Sequence, residues 1–125
     1  MLGKIYYKSC NYQNTPLLDK INQAKVIMRE NLHNNKFPED IANDLGMSYS
    51  WFRKIFKEQT GMAPNQYQQQ LKLVRAKELL SNSELSISEI AYQLGFDSVS
   101  HFSLFFKLKE GMTATDFKKY SHPKY

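Results

Sequence analysis

The 125-residue sequence specifies an all-α fold. Three observations carry that expectation. Apolar residues recur three and four apart along most of the chain, the spacing of one buried helix face. Proline, serine and threonine stand where helices would start and glycine where they would stop, which matches the asymmetry of real helix ends. One segment also occurs twice. Ile41-Ala-Asn-Asp-Leu45-Gly46-Met47 is matched by Ile90-Ala-Tyr-Gln-Leu94-Gly95-Phe96 at an offset of 49, and an extra residue beside Asp97 then shifts the offset to 50. Beyond it Ser48 pairs with Ser98, Phe52 with Phe102, Phe56-Lys57 with Phe106-Lys107, Gly61-Met62 with Gly111-Met112 and Tyr67 with Phe117. Two copies are too few for a solenoid, so the repeat is a duplicated supersecondary unit.

The elements follow in chain order. Residues 1–16, with Tyr6, Tyr7 and Tyr12 among polar neighbours, read as a linker tail. Thr15 and Pro16 suit the N-cap and first position of a helix. Leu17, Ile21, Ala24, Met28 and Leu32 continue it at the 3.6 period up to Asn34-Asn35. Pro38 opens a short helix that carries Ile41 and Leu45 and stops at Gly46, a residue free to take a left-handed backbone. Ser48 caps a helix over about residues 49–60, with Phe52, Ile55 and Phe56 as its buried stripe. Pro64 opens a long helix through Leu80, packed through Tyr67, Leu71, Leu73, Ala76, Leu79 and Leu80. At 1.5 Å per residue it is a rigid spacer of about 25 Å. Ser86-Ile-Ser-Glu89 is a capping box that opens the second copy, which turns at Gly95. Ser98 caps a helix over about 99–110 with Phe102, Phe105 and Phe106 inward, and Thr113 caps a last helix to about Tyr120.

Each copy is therefore a short helix, a glycine turn and a serine-capped helix, with Ala42 or Ala91 small enough for the two helices to cross closely. That is the helix-turn-helix arrangement, whose second helix can enter the major groove of DNA. The net charge is +5, and its distribution is uneven: residues 46–77 carry +5, residues 78–98 carry −4 and residues 99–125 carry +3. Two basic blocks suit a ligand with two negative strips, and duplex DNA is one such ligand.

With one stripe buried, the first copy shows Tyr49, Ser50, Arg53, Lys54 and Lys57. Arg and Lys can donate to guanine O6 and N7. Lys57, near the helix end, suits a phosphate contact or a solvated charge. The second copy shows Val99, Ser100, His101, Ser103 and Leu104, with Lys107 beyond. Val99 and Leu104 can touch thymine methyls, and Ser100 or His101 can hydrogen-bond a base edge or a phosphate. Lys72, Arg75, Lys77, Lys118, Lys119 and Lys124 read as solvated surface charge, and Trp51 as a packing residue.

The basic charge alone is also compatible with RNA, although nothing resembles the common RNA modules. A helical protein-interaction bundle is the second reading, which predicts salt-insensitive binding to a protein and no shift of duplex DNA. Enzyme chemistry finds little support. His33, His101 and His122 lack metal-ligand spacing, Cys10 is the only cysteine, and there is no glycine-rich phosphate loop, metalloprotease motif or nucleophile elbow. No enzyme activity, metal or cofactor is expected. With 42% apolar and 23% charged residues, bulk disorder is excluded. No stretch approaches the roughly 18–20 apolar residues of a membrane span. Met1–Cys10 makes a poor signal peptide, and a lone cysteine fits a reducing cytoplasm.

The run Phe56-Lys57-x-x-x-Gly61-Met62-x-Pro64-x-x-Tyr67 leads into Leu71-x-Leu73-x-x-Ala76-x-x-Leu79-Leu80. Then come Ile87-x-x-Ile90-Ala91-x-x-Leu94-Gly95-Phe96 and Phe102-x-x-x-Phe106-Lys107-x-x-x-Gly111-Met112-Thr113. Over roughly residues 17–120 this resembles the C-terminal DNA-binding domain of the AraC/XylS family of bacterial transcription regulators. The resemblance implies about seven helices in two helix-turn-helix subdomains, residues 17–63 and 81–121, joined by a long linker helix, residues 64–80. It implies recognition helices in successive major grooves, with base contacts at Ser50, Arg53 and Lys54. It also implies double-stranded promoter DNA as partner, RNA polymerase as a second partner if the chain activates, and a separate effector or receiver domain in a longer chain. Two positions depart from the family pattern. Ala114 replaces the usual proline after Gly-Met-Thr, which predicts a less sharply started last helix. Leu104 stands where the second recognition helix often carries arginine, which shifts sequence discrimination toward the first unit and leaves apolar contact and positioning to the second.

Overall fold

The computed structural model describes residues 15–122. Seven helices run through them: α1 (Thr15–Glu30), α2 (Pro38–Asp44), α3 (Tyr49–Thr60), α4 (Pro64–Asn82), α5 (Ile87–Gln93), α6 (Val99–Glu110) and α7 (Ala114–Ser121). The expected tail with Tyr6, Tyr7, Cys10 and Tyr12 lies outside the described residues, as does Lys124.

The helix starts are chemically specified. Ser48 Oγ accepts from Trp51 N at 3.2 Å, Ser98 Oγ from His101 N at 3.1 Å and Thr113 Oγ1 from Asp116 N at 3.0 Å. Each bond satisfies one of the amides that a helix leaves unpaired in its first turn. The Thr113 cap corrects one expectation. Helix α7 starts at Ala114 directly after the Thr113 cap, without a proline, and Ala114 is buried against the core. Helix α1 ends earlier than its apolar period suggested, at Glu30 rather than at Asn34-Asn35. Asn31 Nδ2 donates back to Ile27 O at 2.7 Å, and Asn34 N turns to Asn31 O at 3.3 Å. Short amide side chains compete with the backbone for the helix's own bonds, so a run of them ends it.

Two apolar clusters form. The first joins Ile21, Ala24 and Met28 of α1, Ile41, Ala42 and Leu45 around α2, and Phe52, Ile55 and Phe56 of α3. The second joins Ile90, Ala91 and Leu94 around α5 with Phe96, Phe102 and Phe106, closed by Ala114 of α7. Helix α4 belongs to both. Tyr67 and Leu71 pack on the first cluster, while Leu73, Ala76, Leu79 and Leu80 are buried in the second. Its 19 residues make it a strut of about 28 Å, two residues longer than expected. The fold is thus all-α, with two helix-turn-helix subdomains on one shared helix.

The capping box at α5 carries a pH prediction. Glu89 Oε1 accepts from Ser86 N at 2.8 Å, and Glu89 N donates to Ser86 Oγ at 3.1 Å. The Ser86 backbone amide, and then its hydroxyl, hold the Glu89 carboxyl below the usual carboxylate range. A depressed pKa gives stability that is complete above the unfolded glutamate value and lost as pH falls through the folded one. Glu89→Gln is therefore expected to lower the urea midpoint at pH 7. The difference from the native chain should vanish in acid below the glutamate range. A difference unchanged by acid would show that the carboxylate is not held there.

Candidate nucleic-acid interface

The geometry of each reading unit begins at its turn. Gly46 (φ 71°) and Gly95 (φ 81°) lie in the left-handed region. In the first copy Met47 N donates to Ala42 O at 2.9 Å and Gly46 N to Asn43 O at 3.0 Å. In the second, Phe96 N donates to Ala91 O at 3.0 Å and Gly95 N to Tyr92 O at 3.1 Å. Both are Schellman closures, which turn the chain sharply and satisfy the last carbonyls of the short helix. The next residues, Met47 and Phe96, pack inward, and the serine cap then launches α3 or α6. Ala42 and Ala91 are buried at the crossing, as their size requires.

On α3 the buried stripe leaves Ser50, Arg53, Lys54 and Lys57 exposed. Among the described residues Arg53 makes no ion pair. Tyr49 differs from expectation. It is half-buried against the first cluster, because seven residues are nearly two turns and put it within about 20° of Phe56 on the helix. Val99 is half-buried at the same place on α6, and Ser103 is half-buried too. Ser100, His101, Leu104 and Lys107 are exposed.

Two residues with a place on these faces were not expected. Trp51, read from sequence as packing, is 43% exposed, and Lys54 Nζ lies 5.7 Å from its ring centroid. A cation over an indole face is attracted by the ring quadrupole, so Trp51 restrains Lys54 on the open side. Leu108 is 74% exposed and forms an apolar ridge with Leu104, itself 59% exposed, one turn earlier. The helical phase was the available signal. Trp51 falls about a quarter turn and Leu108 about a third of a turn from the buried stripe of its helix.

The remaining basic residues divide. Arg75 pairs with Glu78 at 3.2 Å and Lys77 with Glu110 at 3.1 Å, while Lys118 donates to Leu85 O at 2.8 Å. Lys72 is not a solvated charge at all. It is half-buried, bonds to Asn35 Oδ1 and lies 5.0 Å from the centroid of the Phe96 ring. Burial holds its ammonium pKa below the usual lysine value. Among the described residues no group of three or more His, Cys, Asp or Glu can hold a metal ion. No helix there is long and apolar enough to cross a membrane.

Known proteins share this sequence pattern and this fold. A family model described as a helix-turn-helix domain matches residues 41–120. The transcriptional activator RhaS of Salmonella schwarzengrund is 30% identical over 100 residues, which cover 80% of this chain and 36% of that protein. The chain thus spans about a third of the length of the curated relatives it matches. A solved AraC-type transcriptional regulator from Chromobacterium violaceum superposes with a TM-score of 0.74 at 30% identity, covering 84% of this chain and 94% of that one. The DNA-binding domain of AdpA, solved with a target DNA, gives 0.74 at 26% identity over 79% of this chain and 89% of its own.

Proposed function

Because the chain belongs to the AraC/XylS family as a C-terminal helix-turn-helix DNA-binding domain, we propose that it reads one asymmetric promoter site, with α3 and α6 as recognition helices in successive major grooves. The observation that carries this reading is the repetition itself. The same Schellman turn, serine cap and exposed helix face occur twice on one strut. Successive grooves on one side of a duplex are about 34 Å apart, and a helix of about 28 Å with a unit at each end suits that interval. A single chain then needs no twofold partner.

In this reading residues 17–63 and 81–121 are the two units. Arg53 and Lys54 donate to base edges with Ser50 beside them. Lys57 and Lys107 contact phosphates, and Leu104, with Leu108 behind it, supplies apolar contact to thymine methyls. Ser100 and His101 hydrogen-bond at the start of α6, where Tyr49, Val99 and Ser103 contribute only their exposed edges. RhaS, named as a transcriptional activator, is longer than the segment matched here, which is in keeping with a regulator that joins this domain to an effector or receiver domain and, if it activates, meets RNA polymerase.

Selection from a random duplex pool is expected to enrich two short patches one helical turn apart. A pool that shows no enrichment, with salt-insensitive binding to proteins instead, would overturn the reading. If Lys57 neutralises one phosphate, Lys57→Ala should flatten the slope of log K against log salt by about 0.9 and weaken all sequences alike. An unchanged slope would return Lys57 to the solvent.

A further inference from the structure

The two units meet at a junction where the α1–α2 turn, the α5–α6 turn and the middle of α4 come together. The α1–α2 turn presents Asn35, a non-glycine residue at φ 53°. Its Nδ2 donates to Gly95 O of the α5–α6 turn at 2.6 Å, and its Oδ1 accepts from Lys72 Nζ of α4. Gln68 of α4 donates to Lys36 O beside it at 2.7 Å. On the other side a Cβ at Gly95 would stand 2.8 Å from His33 O. Phe96 then carries the contact onward. Its ring receives the Lys72 cation on one side and meets the His101 ring edge-on at 5.3 Å and the Phe105 ring at 5.1 Å, both on α6. A cleft of about 360 Å³ opens beside the junction, lined in part by Phe37, Gln69 and Phe105.

We infer that Asn35 and Lys72 are positioning residues that set the pitch and rotation between α3 and α6, and so determine which half-site spacing the chain accepts. This rests on the two-groove reading above. A single helix bonded at one line to each unit still bends and twists gently along its length. A second attachment off that axis removes the freedom, as a second bolt fixes a hinged plate. The cleft is what makes the latch decisive. Where two surfaces interdigitate over a wide area, close packing alone fixes their angle. Here the space beside the junction is open, so a few polar bonds and one cation over a ring hold the angle. The left-handed backbone of Asn35 fits this role. Asparagine takes that conformation more readily than other side chains, and its amide is held on both sides by its surroundings. Here those surroundings are the Gly95 carbonyl and the Lys72 ammonium.

Spacing is the property to measure. One base pair added between the half-sites moves the second by about 3.4 Å and about 34° around the axis. A stiff two-headed reader then loses one head, and the gain from linking two modules disappears when geometry forbids both. The native chain is expected to lose about tenfold in affinity when one base pair is inserted into, or deleted from, its selected site. Asn35→Gly keeps the backbone free to adopt its angle and removes only the amide, and Lys72→Met keeps the stem on Phe96 and removes only the charge. Both variants should bind the selected spacing within about threefold of native, and their penalty for the altered spacings should fall below about threefold. Melting temperature, followed by circular dichroism, runs alongside. A lower melting temperature with the native spacing penalty intact would make both residues merely structural and overturn the inference. A native chain indifferent to spacing would overturn it too, and the two-groove reading with it, so the two failures look different.

Discussion

Gly95→Ala is expected to lower the unfolding free energy by about 3 kcal/mol, while Gly46→Ala, at the same place in the other copy, lowers it by about 1 kcal/mol. Both glycines lie in the left-handed region, so both substitutions bear the same backbone strain. Their surroundings differ. At Gly46 the nearest atom to an added Cβ is Lys20 Nζ at 3.9 Å, the far end of a flexible side chain and an ordinary contact. At Gly95 the added Cβ would stand 2.8 Å from His33 O, a backbone atom, with the Asn35 amide 3.1 Å away. The α1–α2 turn would have to retreat, and the hydrogen bond from Asn35 to Gly95 O would lengthen with it. Urea denaturation with an unchanged m-value measures the difference directly. Equal losses for the two variants would mean that the turns do not meet in solution.

Arg53→Ala is expected to weaken binding to the selected site by about thirtyfold, close to 2 kcal/mol, and to erase the preference at one base pair of the first half-site. Arg53 is exposed and offers a planar fork that matches the two acceptors of guanine, whereas Leu104 on α6 offers only methyl contact. Leu104→Ala should weaken binding by about threefold and shift the preference for thymine in the second half-site. Arg53→Lys separates the two roles available to this side chain. A lysine keeps the charge, so a phosphate contact would survive it. A bidentate base contact would not, and the base preference should relax while the salt slope stays. Preserved base preference in Arg53→Ala would move sequence reading to Lys54 or Ser50.

How far the sequence could be read varies with the range of the force involved. Caps act over three residues, and Ser48, Ser86, Ser98 and Thr113 bond the amides that their spacing predicts. The Schellman turns act over six, and the duplicated Leu-Gly pair announces both. Helical phase places Arg53, Lys54, Lys57, Ser100, His101, Leu104 and Lys107 on open faces, because the buried phenylalanines mark the opposite side. Expectations failed at the edges of that logic. Asn31 ends α1 through a side-chain bond to Ile27 O, which an apolar period does not register. Tyr49 and Val99 stand seven residues before Phe56 and Phe106, so the buried stripe reaches further toward the helix start than its phenylalanines alone suggest.

Local chemistry therefore settled the seven helices, the two glycine turns and the identity of most exposed side chains, since each depends on residues within a turn or two of one another. Tertiary structure alone decided what Lys72 does. Its cation meets Asn35, 37 positions back in the chain, and the Phe96 ring further on, and Asn35 in turn reaches Gly95 across 60 positions. Nothing periodic links such partners. They meet because two separately packed cores share one helix, and the space left between those cores brings two distant turns within hydrogen-bonding reach.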